Sequence, residues 1–273
     1  PWEPKIPEKL ESYFTTEVGT KARGWAIVFY HEQFDANLHL PPRKEAQKDV
    51  ENLTRVLKDR GFLVKAFKDF KYERIKEKLH EIAHSPELAD HDCLIVCFLS
   101  HGREGGRLYA QDDYFEESRL WVPFYGDECR DLAGKPKLFF IQACRGACFD
   151  EGVIGKIFID GDDSPDHHGK KADDDEYHLP THANILVAHT TYEGHVAFKN
   201  VDMGSYFIYT LCQVLEKHSE TLDVMRMLTI VAGVMAEGFK SRSLDPRKHK
   251  KKQMPTIRST LIREVYLKPK PQT

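Results

Sequence analysis

No apolar run in this 273-residue chain approaches the ~18 residues needed to cross a bilayer. Its first residues, PWEPKIPEKLESYF, lack the apolar core of a secretory leader. Neither sign of charge dominates: the formal net charge is −3, which gives no reason to expect a nucleic acid or a membrane as partner. The one basic hexamer, RKHKKK (Arg247 to Lys252), reads as a solvated loop, because a single such run on a near-neutral protein is weak support for nucleic acid. Cysteine is scarce, with six in all. Cys93, Cys97 and Cys212 lie inside apolar patterns, where buried free thiols are expected. A chain of this length without an export signal points to a reducing, cytoplasmic setting and to thiols instead of a disulfide framework. Zinc is poorly served: Cys144-x3-Cys148 with His167 and His168 lacks a second cysteine pair at ligand spacing. No metal and no cofactor is expected, and no internal repeat is visible.

What is present is an alternation of strand and helix signals. GWAIVFY (Gly24 to Tyr30), GFLVKAF (Gly61 to Phe67), CLIVCFLS (Cys93 to Ser100), KLFFIQ (Lys137 to Gln142) and NILVAHT (Asn184 to Thr190) read as strands. Val50, Leu53, Val56 and Leu57 recur at helical spacing, as do Ile75, Leu79 and Ile82. Further helical patterns cover residues 205–217 and 222–237, and MPTIRSTLIREVYL (Met254 to Leu267) closes as a strand. Continuous apolar strands between amphipathic helices predict an α/β fold with a mostly parallel central sheet and helices on both faces. Residues 150–180 break the pattern. They are rich in Asp and Gly, and an internal segment of ~30 such residues reads as a functional or disordered linker.

Ligands of a parallel α/β sheet bind beyond the carboxyl ends of its strands. Cys144 follows the strand LFFIQ, and His101 follows LIVCFLS, so both face that crevice on neighbouring strand ends. A thiol beside an imidazole can act as a nucleophile with its own proton carrier. Gly102 and Gly146 let backbone and substrate approach closely. The backbone N–H groups of Gly102 and Cys144 could form an oxyanion hole. A histidine and a cysteine on two strand ends are not specific by themselves.

The local motif is more specific. Gln142-Ala143-Cys144-Arg145-Gly146 fits the pattern Q-A-C-[RQG]-G, with His101 placed 43 residues upstream where the pattern expects about 50. The chain resembles the caspases. The likeness runs in family order from ARGWAIVFYHEQFD through SHGREGG, KLFFIQACRG and GSYFIYTLC to KKQMPTIRSTLIREVYL. It implies a cysteine endopeptidase that cuts after aspartate, with Cys144 as nucleophile, His101 as acid and base, and the oxyanion hole at Gly102 and Cys144. It implies a short N-terminal segment (1–23), a large catalytic subunit (24–149), an intersubunit linker (150–180) and a small subunit (181–273), with 24–273 as one caspase domain. With no recruitment module before residue 24, the chain is similar to the short-prodomain, effector-like class. Processing is expected at Asp160, which precedes Gly161, with Asp166 and Asp175 as fallbacks. The final strand, Pro255 to Leu267, corresponds to the family's dimer edge and implies a homodimer or a heterodimer with another caspase. Aspartate-containing peptides and proteins are the implied substrates, and inhibitor-of-apoptosis proteins a further implied partner class.

The implied pocket for the substrate aspartate combines Arg43, Gln142 and a second arginine. That arginine belongs to a block like S-W-R-N-x-x-x-G-S-W, which here reads Ala197-Phe198-Lys199-Asn200-Val201-Asp202-Met203-Gly204-Ser205-Tyr206. Lys199 therefore stands where the family has arginine, and Phe198 and Tyr206 replace its tryptophans. Lysine keeps the charge but loses the planar fork that grips a carboxylate with two bonds. One well-aligned bond of that kind is worth ~1.5–3 kcal/mol, or about 10- to 100-fold in substrate capture. The loop SRSLDPRKHKKK before the last strand carries no aromatic residue. Two readings remain: a protease of weakened or altered specificity acting in apoptosis, or a caspase-like decoy that regulates another caspase by pairing with it or by capturing its inhibitor. The retained cysteine and histidine favour the first.

Overall fold

The structure is a computed structural model and describes residues 6–13, 22–153 and 179–268. In chain order it builds β1 (Gly24–Tyr30), α1 (Ala46–Asp59), β2 (Phe62–Lys68), α2 (Tyr72–Ala83) and β3 (Cys93–Leu99). A ribbon of short strands follows, β4 (Gly102–Arg103), β5 (Arg107–Tyr109) and β6 (Tyr114–Glu116). Next come β7 (Lys137–Gln142), β8 (Gly146–Cys148), β9 (Ile185–His189), β10 (Gly194–His195), β11 (Lys199–Asn200) and β12 (Gly204–Ser205). The described chain closes with α3 (Tyr206–His218), α4 (Val224–Gly238) and β13 (Thr256–Ser259). Asp160, Asp166 and Asp175, and with them His167 and His168, lie outside the described residues.

Six strands form the main sheet in the order β13-β9-β7-β3-β1-β2. All neighbours run parallel except β13, which is antiparallel to β9. Strand geometry sends alternate side chains to opposite faces, and both faces are covered. On one, Val28, Ile95, Cys97, Phe140 and Leu186 pack with residues of α1, α3 and α4. On the other, Ile27, Phe29, Val96, Phe98 and Phe139 pack with Ile75, Leu79 and Ile82 of α2. Burial on both faces is why β1, β3, β7 and β9 read as unbroken apolar runs. The mostly parallel sheet with helices on both sides is the architecture the sequence predicted. All six cysteines are free thiols, and Cys93, Cys97 and Cys212 are buried. No helix among the described residues is long and apolar enough to cross a membrane.

The last strand differs from the sequence reading. Within Met254 to Leu267 only Thr256–Ser259 pairs as β13. The ladder stops at Thr260, whose Oγ1 donates to the His182 carbonyl at 2.6 Å. The chain then leaves the sheet edge and buries Val265 and Leu267 in the core beside α4. The Val265 carbonyl also accepts the Val224 N–H that opens α4.

Candidate active site

The carboxyl ends of β3 and β7 are tied together. The Ser100 N–H donates to the Gln142 carbonyl at 3.0 Å, and the Ser100 hydroxyl donates to the Tyr109 carbonyl at 2.6 Å. His101 and Cys144 therefore leave adjacent parallel strands at the same level, the crevice side of the sheet. Gly102 lies against the backbone of Cys144: a Cβ built on it would meet the Cys144 carbonyl oxygen at 2.3 Å. Only glycine permits that approach. Gly146 is equally confined where β8 pairs with β10, since a Cβ there would meet the Gly194 carbonyl oxygen at 2.1 Å.

His101 is held by Nε2, which lies 2.8 Å from the Pro41 carbonyl oxygen. A carbonyl only accepts, so Nε2 carries the hydrogen and Nδ1 keeps a lone pair. The ring packs against Phe34 at 5.0 Å between centroids. Burial pushes the imidazole pKa down to about 4, against the Pro41 bond and Glu45, which raise it; Arg43 and Lys199 push it further down. The imidazole is thus neutral at physiological pH. Cys144 is half-buried. Its sulfur accepts the Ala197 N–H at 3.3 Å and lies 3.9 Å from the Ala197 carbonyl oxygen.

That segment carries the rest of the site. Cys144's neighbour Arg145 exchanges backbone bonds with residues 194–195: its N–H donates to the His195 carbonyl at 2.9 Å, and its carbonyl accepts the Gly194 N–H at 3.0 Å. The strands on either side of the linker thereby join in one site. Behind the cysteine, Glu117 holds His189 at 2.9 Å and lies 3.8 Å from Arg145.

Arg43 is buried, with its guanidinium donating to the His31 carbonyl at 3.3 Å. Burial lowers its pKa, against the opposing pull of Glu45 and Asp49. Lys199 stands on β11. The two cations meet at one atom: Glu45 Oε1 lies 3.3 Å from Arg43 Nε and 2.9 Å from Lys199 Nζ. Glu45 is 3% exposed in these pairs and Lys199 38%. Glu45 Oε1 is thus compensated by two ion pairs, whereas Gln142 Oε1 is buried with no hydrogen-bond partner among the described residues. Asp49, one turn on, accepts both the N–H (2.7 Å) and the hydroxyl (2.5 Å) of Ser205 and so fastens β12 to α1.

The structure brings Arg43, Lys199, His101 and Cys144 to one crevice, with Gln142 at its base on β7. Phe198 and Tyr206 converge on a residue outside that set, Phe239, at 5.5 and 4.6 Å between ring centroids. The loop before β13 has no aromatic of its own, but Phe239 at its root supplies one. Gln253 was also not foreseen. Its Oε1 accepts the Phe198 N–H at 2.7 Å, and its Nε2 donates to the Thr190 carbonyl at 2.8 Å. Of the basic run, Arg247 to Lys250 are exposed, as a solvated loop requires, while Lys251 is buried and paired with Glu151.

The family model described as Caspase domain matches residues 23–266. The chain is 39% identical to Caspase drICE of Drosophila melanogaster over 247 residues, 89% of this chain and 69% of that protein. It is 37% identical to Caspase-6 of Mus musculus over 258 residues, 92% of this chain and 91% of that protein. Its fold matches the crystal structure of Caspase-1 from Spodoptera frugiperda with a TM-score of 0.84 at 34% identity, covering 98% and 99% of the two chains.

Proposed function

This chain belongs to the caspase family, and from that premise we propose that it is a cysteine endopeptidase in which Cys144 is the nucleophile and His101 the proton carrier. The observation that carries the reading is the Ser100–Gln142 bond at 3.0 Å, which fixes the two strand ends bearing them side by side. With Nε2–H committed to Pro41, Nδ1 takes the thiol proton. The sulfur attacks the carbonyl carbon of the scissile peptide, and the N–H groups of Gly102 and Cys144 receive the developing oxyanion. The imidazolium then returns its proton to the leaving amine, and water releases the acyl group through the same histidine.

The pocket beside the dyad holds Arg43, Gln142 and Lys199, with Phe198 and Tyr206 as walls. Replacement of the arginine fork by Lys199 weakens capture of aspartate by about 10- to 100-fold. The protein works as a zymogen cut at Asp160, with Asp166 and Asp175 as secondary sites, into subunits at 24–149 and 181–273. It dimerises through the edge that β13 presents, acts in the cytoplasm and serves an apoptotic programme. The second reading, a weakly active homologue that regulates another caspase by heterodimerisation or captures an inhibitor-of-apoptosis protein, is favoured by the same Lys199. Hydrolysis of fluorogenic peptides ending in aspartate separates the two. Turnover lost in Cys144→Ala and raised in Lys199→Arg supports the protease. No turnover in the native protein, with turnover after Lys199→Arg, supports the decoy.

A further inference from the structure

Glu45 has no role in the chemistry above, yet it touches both cations that the pocket offers to a substrate. It sits at the residue that opens α1, two positions after Arg43. Its Oε1 lies 3.3 Å from Arg43 Nε and 2.9 Å from Lys199 Nζ. Arg43 and Glu45 are 2% and 3% exposed in this pair, and a buried guanidinium or carboxylate persists only beside opposite charge. Glu45 therefore supplies, from within the chain, the kind of group that an incoming aspartate side chain supplies from outside.

The charge balance sets the direction of the effect. Two cations against one carboxylate leave net positive charge, so the pocket still favours an anion, but less than the two cations alone would. Lys199 is the more open of the two, at 38% exposure. A substrate carboxylate that reaches its Nζ must share it with Glu45 or displace Glu45 from it. Sharing brings two carboxylates close together, and each disfavours the other. Displacement breaks an existing ion pair. Either way, part of the attraction available for capture is already engaged. The substrate's side-chain carboxylate takes no part in bond making, so the penalty is the same in the bound substrate and in the transition state. Interactions of that kind change KM and leave kcat alone.

We propose that Glu45 is a tethered competitor of the substrate aspartate, a residue that lowers the pocket's affinity for the acidic side chain it receives without altering the chemical step. The proposal rests on the protease reading of Cys144 and His101, with aspartate before the cut bond. Its test is steady-state kinetics on a fluorogenic peptide ending in aspartate, for the native chain and for Glu45→Gln, which keeps the shape and removes the charge. Asp49, whose charge also bears on Arg43, remains to compensate the buried guanidinium in the variant. KM should fall by about 10- to 100-fold with kcat unchanged. An unchanged or raised KM overturns the proposal and reduces Glu45 to a support for Arg43. A gain confined to kcat overturns it as well. Where a thermal melt shows that Glu45→Gln does not fold, Glu45→Ala carries the same expectation and the same refutation. If neither the native chain nor the variant cleaves the peptide, the protease reading fails separately. Calorimetric binding of that peptide to Cys144→Ala, with and without Glu45→Gln, then decides for the pocket: tighter binding without the Glu45 charge supports the proposal, and equal or weaker binding, or no binding to either, overturns it.

Discussion

Replacing Gly102 with alanine should disable the site while leaving the fold largely intact. The added Cβ would stand 2.3 Å from the Cys144 carbonyl oxygen, 3.0 Å from the Ala143 Cβ and 3.2 Å from the Arg107 carbonyl oxygen. Carbon and oxygen tolerate each other at about 3.3–3.6 Å, so β4 and the Cys144 backbone must separate by roughly 1 Å. The obstruction is backbone, with no flexible side chain to yield. Overpacking of this kind costs about 1–3 kcal/mol, which lowers the melting temperature by roughly 2–10 °C in a domain of this size. Catalysis should suffer more, because a 1 Å misplacement of reacting groups costs about 100-fold. The assay is kcat/KM on the best peptide substrate together with a thermal melt. Gly233→Ala is the control: it lies within α4 with nothing inside 4 Å of its added Cβ and should be neutral or stabilising by up to about 1 kcal/mol. Gly102→Ala turning over at the native rate with an unshifted melting temperature would refute the close approach of β4 to Cys144.

Further outcomes follow from the same geometry. The His101 pKa is depressed to about 4, so the acid limb of the kcat/KM–pH profile should fall near pH 4 and not near 6.5; because the folded value lies below the unfolded one, His101 lends stability above pH 6.5 that is lost as pH falls towards 4. Asp49 behaves oppositely: burial, outweighing its Ser205 hydrogen bonds, raises its carboxyl from 3.8 to about 6. Its contribution is therefore fully present below pH 3.8 and lost as pH rises through 6, worth about 3 kcal/mol, and denaturant titrations of Asp49→Asn should lack that component of the slope. Gln253→Leu orphans the Phe198 N–H and the Thr190 carbonyl and should cost about 2–4 kcal/mol in stability, with KM rising more than kcat falls as Phe198 loosens; a change in kcat alone would contradict the positioning role.

The sheet could be read from the sequence because β1, β3, β7 and β9 are buried on both faces, which leaves continuous apolar runs too short for a buried helix and bounded by polar or turn-forming residues. The two strand ends bearing His101 and Cys144 followed from the same runs. Glu45 was hidden for an equally physical reason. It lies in RKEAQKDV, a charged stretch that looks like the solvated start of a helix, and its partner Lys199 is more than 150 residues away. Only the folded chain shows that the charge is spent inside a pocket. Phe239 and Gln253 escaped for want of periodicity, since each acts through one or two contacts across distant loops. The ribbons β8–β10 and β11–β12 are two or three residues long, too short for any alternation to register. The final strand read too long because its later apolar residues, Val265 and Leu267, serve the core beneath α4 instead of the ladder.

The central claim is that Cys144 attacks carbonyl carbon with His101 carrying the proton. Its most direct test is covalent labelling by a peptidyl acyloxymethyl ketone, read by intact mass and peptide mapping. The account predicts one adduct per chain, on Cys144, absent in Cys144→Ala and formed at least about 100-fold more slowly in His101→Ala. An adduct on exposed Cys148 instead, or labelling of Cys144 at the same rate without His101, would contradict it.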